Sequence, residues 1–191
     1  MEKNRLEAFS DGVLAIVITI MVLELKVPEG DTFADLAPTW PTMLAYVLSF
    51  LFVAVYWVNH HMLFTKVKRV NVKILWSNIA WLFVMSLIPF TSAWVGSHPA
   101  SGLPLSLYFA DMALVAAMFH LLYYLIVKEQ GETDLFHHGI RSYISLGTYV
   151  LVAIVAGFCP IAAYITVAAV TIWWAFPQKN KEKKEKEDNP S

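Results

Sequence analysis

The chain has 191 residues, 58% of them hydrophobic and only 15% charged, with a mean hydropathy of +0.55. A soluble domain is nearer a quarter charged, and the apolar residues here fall in blocks long enough to cross a ~30 Å hydrocarbon core, which takes about 20 residues of helix. Composition therefore excludes a water-soluble globular protein. The net charge of -1 gives no ground for a nucleic-acid partner, and a single cysteine, Cys159, excludes an intramolecular disulfide and any Cys/His zinc spacing.

The apolar blocks predict six spans in an all-α integral membrane protein. In chain order they cover residues 9–25, 41–64, 74–95, 103–127, 143–158 and 161–176. The last two form a hairpin around the tight turn Phe158-Cys159-Pro160-Ile161. No small-residue cleavage site flanks the first span, which is therefore expected to be retained rather than removed as a signal peptide. Residues 1–176 are expected to be one six-helix transmembrane domain. Residues 177–191, "PQKNKEKKEKEDNPS", are a charged tail expected to be disordered in the cytoplasm.

Lysine and arginine set the orientation. Lys3 and Arg5 precede the first span, and Lys66, Lys68, Arg69 and Lys73 separate the second from the third. Lys128 and Arg141 flank the fourth-to-fifth loop, and five lysines follow the sixth span. A six-span arrangement puts all of these on one side and leaves Lys26 alone on the other, beside Glu24, Glu29, Asp31 and Asp35. Both termini are then cytoplasmic.

Nothing in the sequence reads as an enzyme: there is no Gly-rich phosphate loop and no local signature of a Ser/His/Asp site. His60 and His61 are adjacent, so on a helix they point about 100° apart and do not chelate one metal together. No cofactor or metal is expected. The polar residues inside the spans carry more information, because an ionisable group at membrane depth faces the bundle and finds a partner. Ser10 and Asp11 at the start of span one, Asn59 and His60 at the end of span two, and Trp76 and Asn78 at the start of span three share one depth. They are candidates for a single hydrogen-bonded cluster with Arg5; the alternative is that they sit at the interface in contact with water. Thr19 in span one and Asp111 and His120 in span four are further polar residues inside the spans. On a helical wheel Phe9, Gly12, Ile16, Ile20, Leu23 and Val27 share a face about 80° wide, with Asp11, Ile18 and Val22 opposite. If Asp11 points into its own subunit, the Ile16 face is turned to lipid or to an oligomer axis, and periodicity does not choose between them.

The stretch "RLEAFSDGVLAIVIT" resembles the first-helix signature of the transmembrane protein 175 potassium channels: an Arg, then Phe-Ser-Asp, then an apolar helix with a Thr. "YWVNHHMLF" in span two and "LWSNIAWLFVMSLIPF" in span three agree with it. Animal members carry two six-span repeats; this chain has one and so resembles the prokaryotic form. The resemblance implies a homotetramer in a prokaryotic cell membrane, with the first helix of each subunit lining a central pore for potassium, other monovalent cations being further candidates. It implies no carbonyl filter of the "TVGYG" kind, and the sequence has none. It places aliphatic constrictions at Ile16, Ile20 and Leu23, with Thr19 beside them, and it turns Phe9, Ser10 and Asp11 away from the pore to tie the helix to its neighbours. The rival reading is a proton-coupled secondary transporter, or a channel that passes protons, with Asp11, Asp111 and the histidines as a relay.

The topology is open to a direct check. In a background lacking Cys159, cysteines placed at Ser101 and Thr133 are expected to label from opposite sides of an intact cell. Labelling of both from outside would overturn the six-span arrangement.

Overall fold

The computed structural model describes residues 2–130, 136–156, 158 and 160–175. The expectations placed on the tail from residue 177, on Cys159, on Thr133 and on the side chain of Arg141 lie outside that description. The described chain is all helical: α1 (Lys3–Leu23), α2 (Phe33–Leu36), a 3-10 turn (Ala37–Thr39), α3 (Trp40–Thr65), α4 (Val72–Met85), α5 (Ile88–Ser97), α6 (Gly102–Gln130), α7 (Phe136–Val155) and α8 (Pro160–Ala175). Four stretches, Lys3–Leu23, Phe33–Thr65, Val72–Ser97 and Gly102–Gln130, are long and apolar enough to cross a membrane, and two shorter apolar helices follow. All six apolar blocks are thus helical, four of them within stretches long enough to span, with α1 starting six residues earlier than its apolar block and α7 seven earlier, both through polar sequence.

The third span departs from the sequence expectation. It is two helices, α4 and α5, separated at Ser86 and Leu87. Pro89 lies in the first turn of α5. Its nitrogen has no proton to give the Met85 carbonyl, and its ring crowds that carbonyl. The chain closes α4 instead with Ser86, whose N–H reaches the carbonyls of Leu82 and Phe83 at 3.0 and 3.1 Å and whose hydroxyl donates to Phe83 O at 2.6 Å. Other ends are set by ordinary caps. The Asn71 side chain accepts from Ile74 N–H at 2.9 Å to start α4. Thr32 and Asp35 form a reciprocal capping box on α2.

The core has two parts. A large cluster joins Leu14 and Val17 of α1 to Phe52 of α3, Trp81 of α4, Val95 of α5, Phe109 of α6, Tyr149 of α7 and Val167 of α8. A smaller one at the end bearing the N-terminus joins Leu6, Phe64, Val67, Ile74, Leu122 and Ile126. Helix α1 packs on α3, α4 and α5, whereas α7 and α8 pack on α6 and on α3. So α1 lies along one flank of the bundle.

Helices α3 and α5 approach closely at Gly96, where an added Cβ would come within 2.8 Å of the Thr42 backbone Cα. A side chain there must push the two helices apart, at about 1–3 kcal/mol. Gly96→Ala is expected to lower the thermal unfolding midpoint of the purified protein by several degrees. Gly147→Ala, where nothing lies within 4 Å of the new carbon, should leave it unchanged or raise it. Equal midpoints for both variants would show that the close approach carries no such cost.

Candidate functional site

Helix α1 has three unlike sides. The first is buried and carries Leu6, Ser10, Leu14, Val17 and Met21, spaced three or four residues apart. Within it Ser10 is held at both ends. Its hydroxyl donates to Leu6 O at 2.9 Å and accepts from the Asn78 amide of α4 at 2.9 Å. The Asn78 carbonyl oxygen lies 2.9 Å from His60 Nε2 of α3, which therefore carries the ring proton. The His60 ring is fixed in turn by stacking, 8° from the plane of Trp81 at 5.0 Å and 25° from that of Phe64 at 4.3 Å. All three polar side chains are buried. They form a clamp from α1 through α4 to α3, closed off from any solvent that could substitute for a lost partner.

The second side carries Asp11. Adjacent residues on a helix diverge by about 100°, so Asp11 leaves the Ser10 clamp and accepts the indole N–H of Trp57 at 2.8 Å. This pair is exposed in the subunit, with Trp57 stacked on His61 at 6.3 Å. Val22 is exposed as well, while Ile18 packs partly buried against the core.

The third side is aliphatic and open. Ile16, Ile20 and Leu23 are 59%, 44% and 77% exposed, and Phe9 and Gly12 continue the stripe. The Thr19 hydroxyl, exposed beside them, gives its proton to the carbonyls of Ala15 and Ile16, each at 3.0 Å. A groove of about 710 Å³ runs between this side and α5, past Val13, Ile16, Ile20 and Phe90.

Of the residues singled out for one cluster, the structure brings together Ser10, His60 and Asn78. Asp11 sits apart with Trp57. Asn59 donates within its own helix, to Val55 O at 2.9 Å. Trp76 points outward, 64% exposed, and Arg5 and Phe9 are also exposed. Sequence reasoning missed Trp57. The signal was available, since Trp57 lies one turn before His60 at the depth of Asp11 and offers a single N–H. In α6, Asp111 accepts from Thr91 of α5 at 3.0 Å, and the His120 ring lies 4.3 Å from that of Tyr143. Among the described residues no group of three or more His, Cys, Asp or Glu is placed to hold a metal ion.

Fold and site together define a multi-span, all-helical membrane protein in which one apolar helix is clamped by polar side chains along the edge of its own bundle. The model of a family described as the endosomal/lysosomal potassium channel TMEM175 matches residues 5–89, from α1 to just past the α4–α5 break. A potassium channel of Chryseobacterium sp. (strain P1-3) is 44% identical over 192 aligned residues, covering 98% of this chain and 100% of that one. The crystal structure of a protein described as a lysosomal potassium-selective channel TMEM175 homolog from Chamaesiphon minutus superposes with a TM-score of 0.82 at 29% identity, covering 91% of this chain and 96% of that chain. The human protein described as the endosomal/lysosomal proton channel TMEM175 is 41% identical over 81 residues, 36% of this chain and 16% of that one. The chain belongs to the TMEM175 family of potassium channels, which are not enzymes.

The clamp has an unequal dependence on its members. Removing Asn78 leaves the buried His60 N–H unpaired, at about 1–3 kcal/mol, and takes one donor from Ser10, whose hydroxyl keeps its bond to Leu6 O. Asn78→Ala is therefore expected to lower thermal stability more than Asp11→Ala, which loses one exposed bond of about 0.5–1.5 kcal/mol, or Asn59→Ala, which loses a bond within its own helix. Equal unfolding midpoints for the three purified variants would count against the clamp.

Proposed function

We propose that this chain is the subunit of a homotetrameric potassium channel in a prokaryotic cell membrane, with α1 of each subunit lining a central pore and Ile16, Ile20 and Leu23 as its constrictions. One observation carries the reading. The side of α1 turned away from the Ser10–Asn78–His60 clamp is an uninterrupted aliphatic stripe left open by its own subunit. The potassium-channel descriptions of the bacterial relatives support the permeant ion. Among the described residues Lys3, Arg5, Lys66, Lys68, Arg69, Lys73 and Lys128 lie toward one end of the bundle and support cytoplasmic termini.

Four copies of an isoleucine at one level make a ring that offers no ligand to a bare cation. Such a ring conducts when wetted and blocks when dry. An ion crosses with part of its water or loses it at a cost. Potassium holds its water less tightly than sodium, so a ring of this kind favours potassium, and modestly. The Thr19 proton is already given to backbone carbonyls, so this hydroxyl presents oxygen lone pairs beside the ring. At the outer mouth Glu24 raises the local cation concentration, while Asp31 and Asp35 are charges of a solvated loop.

Proton permeation is the second reading, favoured by the description of the human relative as a proton channel. Single-channel recording in planar bilayers separates the cases. Ile16→Asn puts an amide where a sec-butyl group excluded water, and it is expected to raise unit conductance severalfold and lower preference for potassium over sodium. Ile154→Asn, on the exposed face of α7 far from α1, should reduce yield and leave unit current unchanged. Identical currents and reversal potentials for wild type and both variants would remove the pore assignment. A reversal potential that follows a pH gradient at constant potassium would establish proton permeation.

A further inference from the structure

The turn between α3 and α4 is built more firmly than a connection of its length requires. Residues 66–73, "KVKRVNVK", hold four basic residues and no acidic one. Lys66, Lys68, Arg69 and Lys73 are all exposed, yet the backbone that carries them is pinned from three directions. Val67 is buried with Leu6, Phe64, Leu122 and Ile126. Gln130, at the end of α6, accepts from Lys68 N–H at 3.1 Å and donates to Arg69 O at 3.3 Å. Asn71 caps α4 through Ile74 N–H. The basic side chains thus project from a fixed platform.

Beside them two apolar side chains stand open. Val72 and Trp76 are 68% and 64% exposed, one turn apart on α4 and flanking Lys73. A tryptophan exposed where a membrane span begins sits at headgroup level, its ring in the acyl boundary and its N–H toward the wet layer. Basic side chains and an interfacial indole on one rigid edge match one partner chemistry: a phosphate on an acyl-chain anchor. A soluble anion would use the charges and leave Val72 and Trp76 without purpose; a neutral lipid would do the reverse.

We infer that the α3–α4 turn, with Lys66, Lys68, Arg69 and Lys73 and the Val72/Trp76 edge, is a binding site for the headgroup of an anionic phospholipid. The site does not depend on α1 lining a pore. It does lie between the two helices that supply His60 and Asn78 to the clamp, so a bound headgroup bears on the pair of helices that hold α1.

The test uses the full-length protein, purified and stripped of lipid in a neutral detergent, then titrated with phosphatidylglycerol or phosphatidylcholine and followed by native mass spectrometry. Wild type is expected to retain phosphatidylglycerol at least tenfold more tightly. Replacing all four basic residues by Gln should abolish the preference. Lys68→Gln and Arg69→Gln alone, which keep the backbone bonds to Gln130 and serve if the fourfold variant does not fold, should each weaken binding about fivefold. Changing Lys179, Lys181, Lys183 and Lys184 of the tail to Gln should leave the preference intact, and millimolar inorganic phosphate should not displace the lipid. The proposal is overturned if the turn variants bind phosphatidylglycerol as wild type does, if the tail variant loses the preference, if wild type binds both lipids equally, or if free phosphate competes fully.

Discussion

Three buried side chains in series, Ser10 to Asn78 to His60, set the rotation of α1, and most of what matters about this protein follows from that rotation. An apolar helix in lipid has little to fix its azimuth, because hydrocarbon and aliphatic side chains attract it about equally. A hydroxyl that must meet an amide, which must meet an imidazole, admits one arrangement of three helices. The stacking of His60 between Trp81 and Phe64 orients the ring and so the whole chain of bonds. With Ser10 turned inward, Asp11 emerges on a second side and the Ile16, Ile20 and Leu23 stripe on a third.

Nearer the other end of the bundle the same task falls to different groups. The break at Pro89 separates α5 from α4, so the orientation that the clamp gives α4 is not passed on by a continuous helix. Helix α5 has ties of its own: Ser92 accepts from Ser49 of α3 at 2.8 Å, Ser49 pairs with Tyr108 of α6 at 2.8 Å, and Thr91 donates to Asp111. The contact of Gly96 with Thr42 brings α3 and α5 close enough for these short side chains to meet. One polar layer holds α1, α3 and α4, the other α3, α5 and α6, with the aromatic packing of Phe52, Tyr56, Trp81 and Phe119 between them.

The apolar blocks made all six helical segments legible, and length and hydropathy mark four of them as able to cross a membrane. The stripe on α1 was legible for a similar reason: a period of 3.6 sorts Ile16, Ile20 and Leu23 onto one side whatever surrounds them. The partners of the polar residues were legible only by depth. Depth placed Ser10, Asp11, Asn59, His60, Trp76 and Asn78 together, but azimuth divides them, and azimuth depends on packing against neighbours. Asn59 and His60 are equally plausible donors in sequence; the structure turns one to its own backbone and the other to α4. The α4–α5 break was hidden because a proline in a membrane span often only kinks it, and whether the helix stops depends on a cap such as Ser86.

Helix α8 brings the bilayer itself into the account. It runs for 16 residues, about 24 Å at 1.5 Å per residue, and the sequence turns polar after Phe176. The hydrocarbon layer is about 30 Å thick. Ile161, Ile165 and Ile172 are exposed along this helix, on the flank of the subunit away from α1. The lipids beside it must shorten their span to meet it, at a fraction of a kcal/mol per Å of mismatch. Acyl-chain length therefore becomes a physical variable for this protein: a thicker membrane strains α8 first, while the longer α3 and α6 can take up the change by altering their tilt.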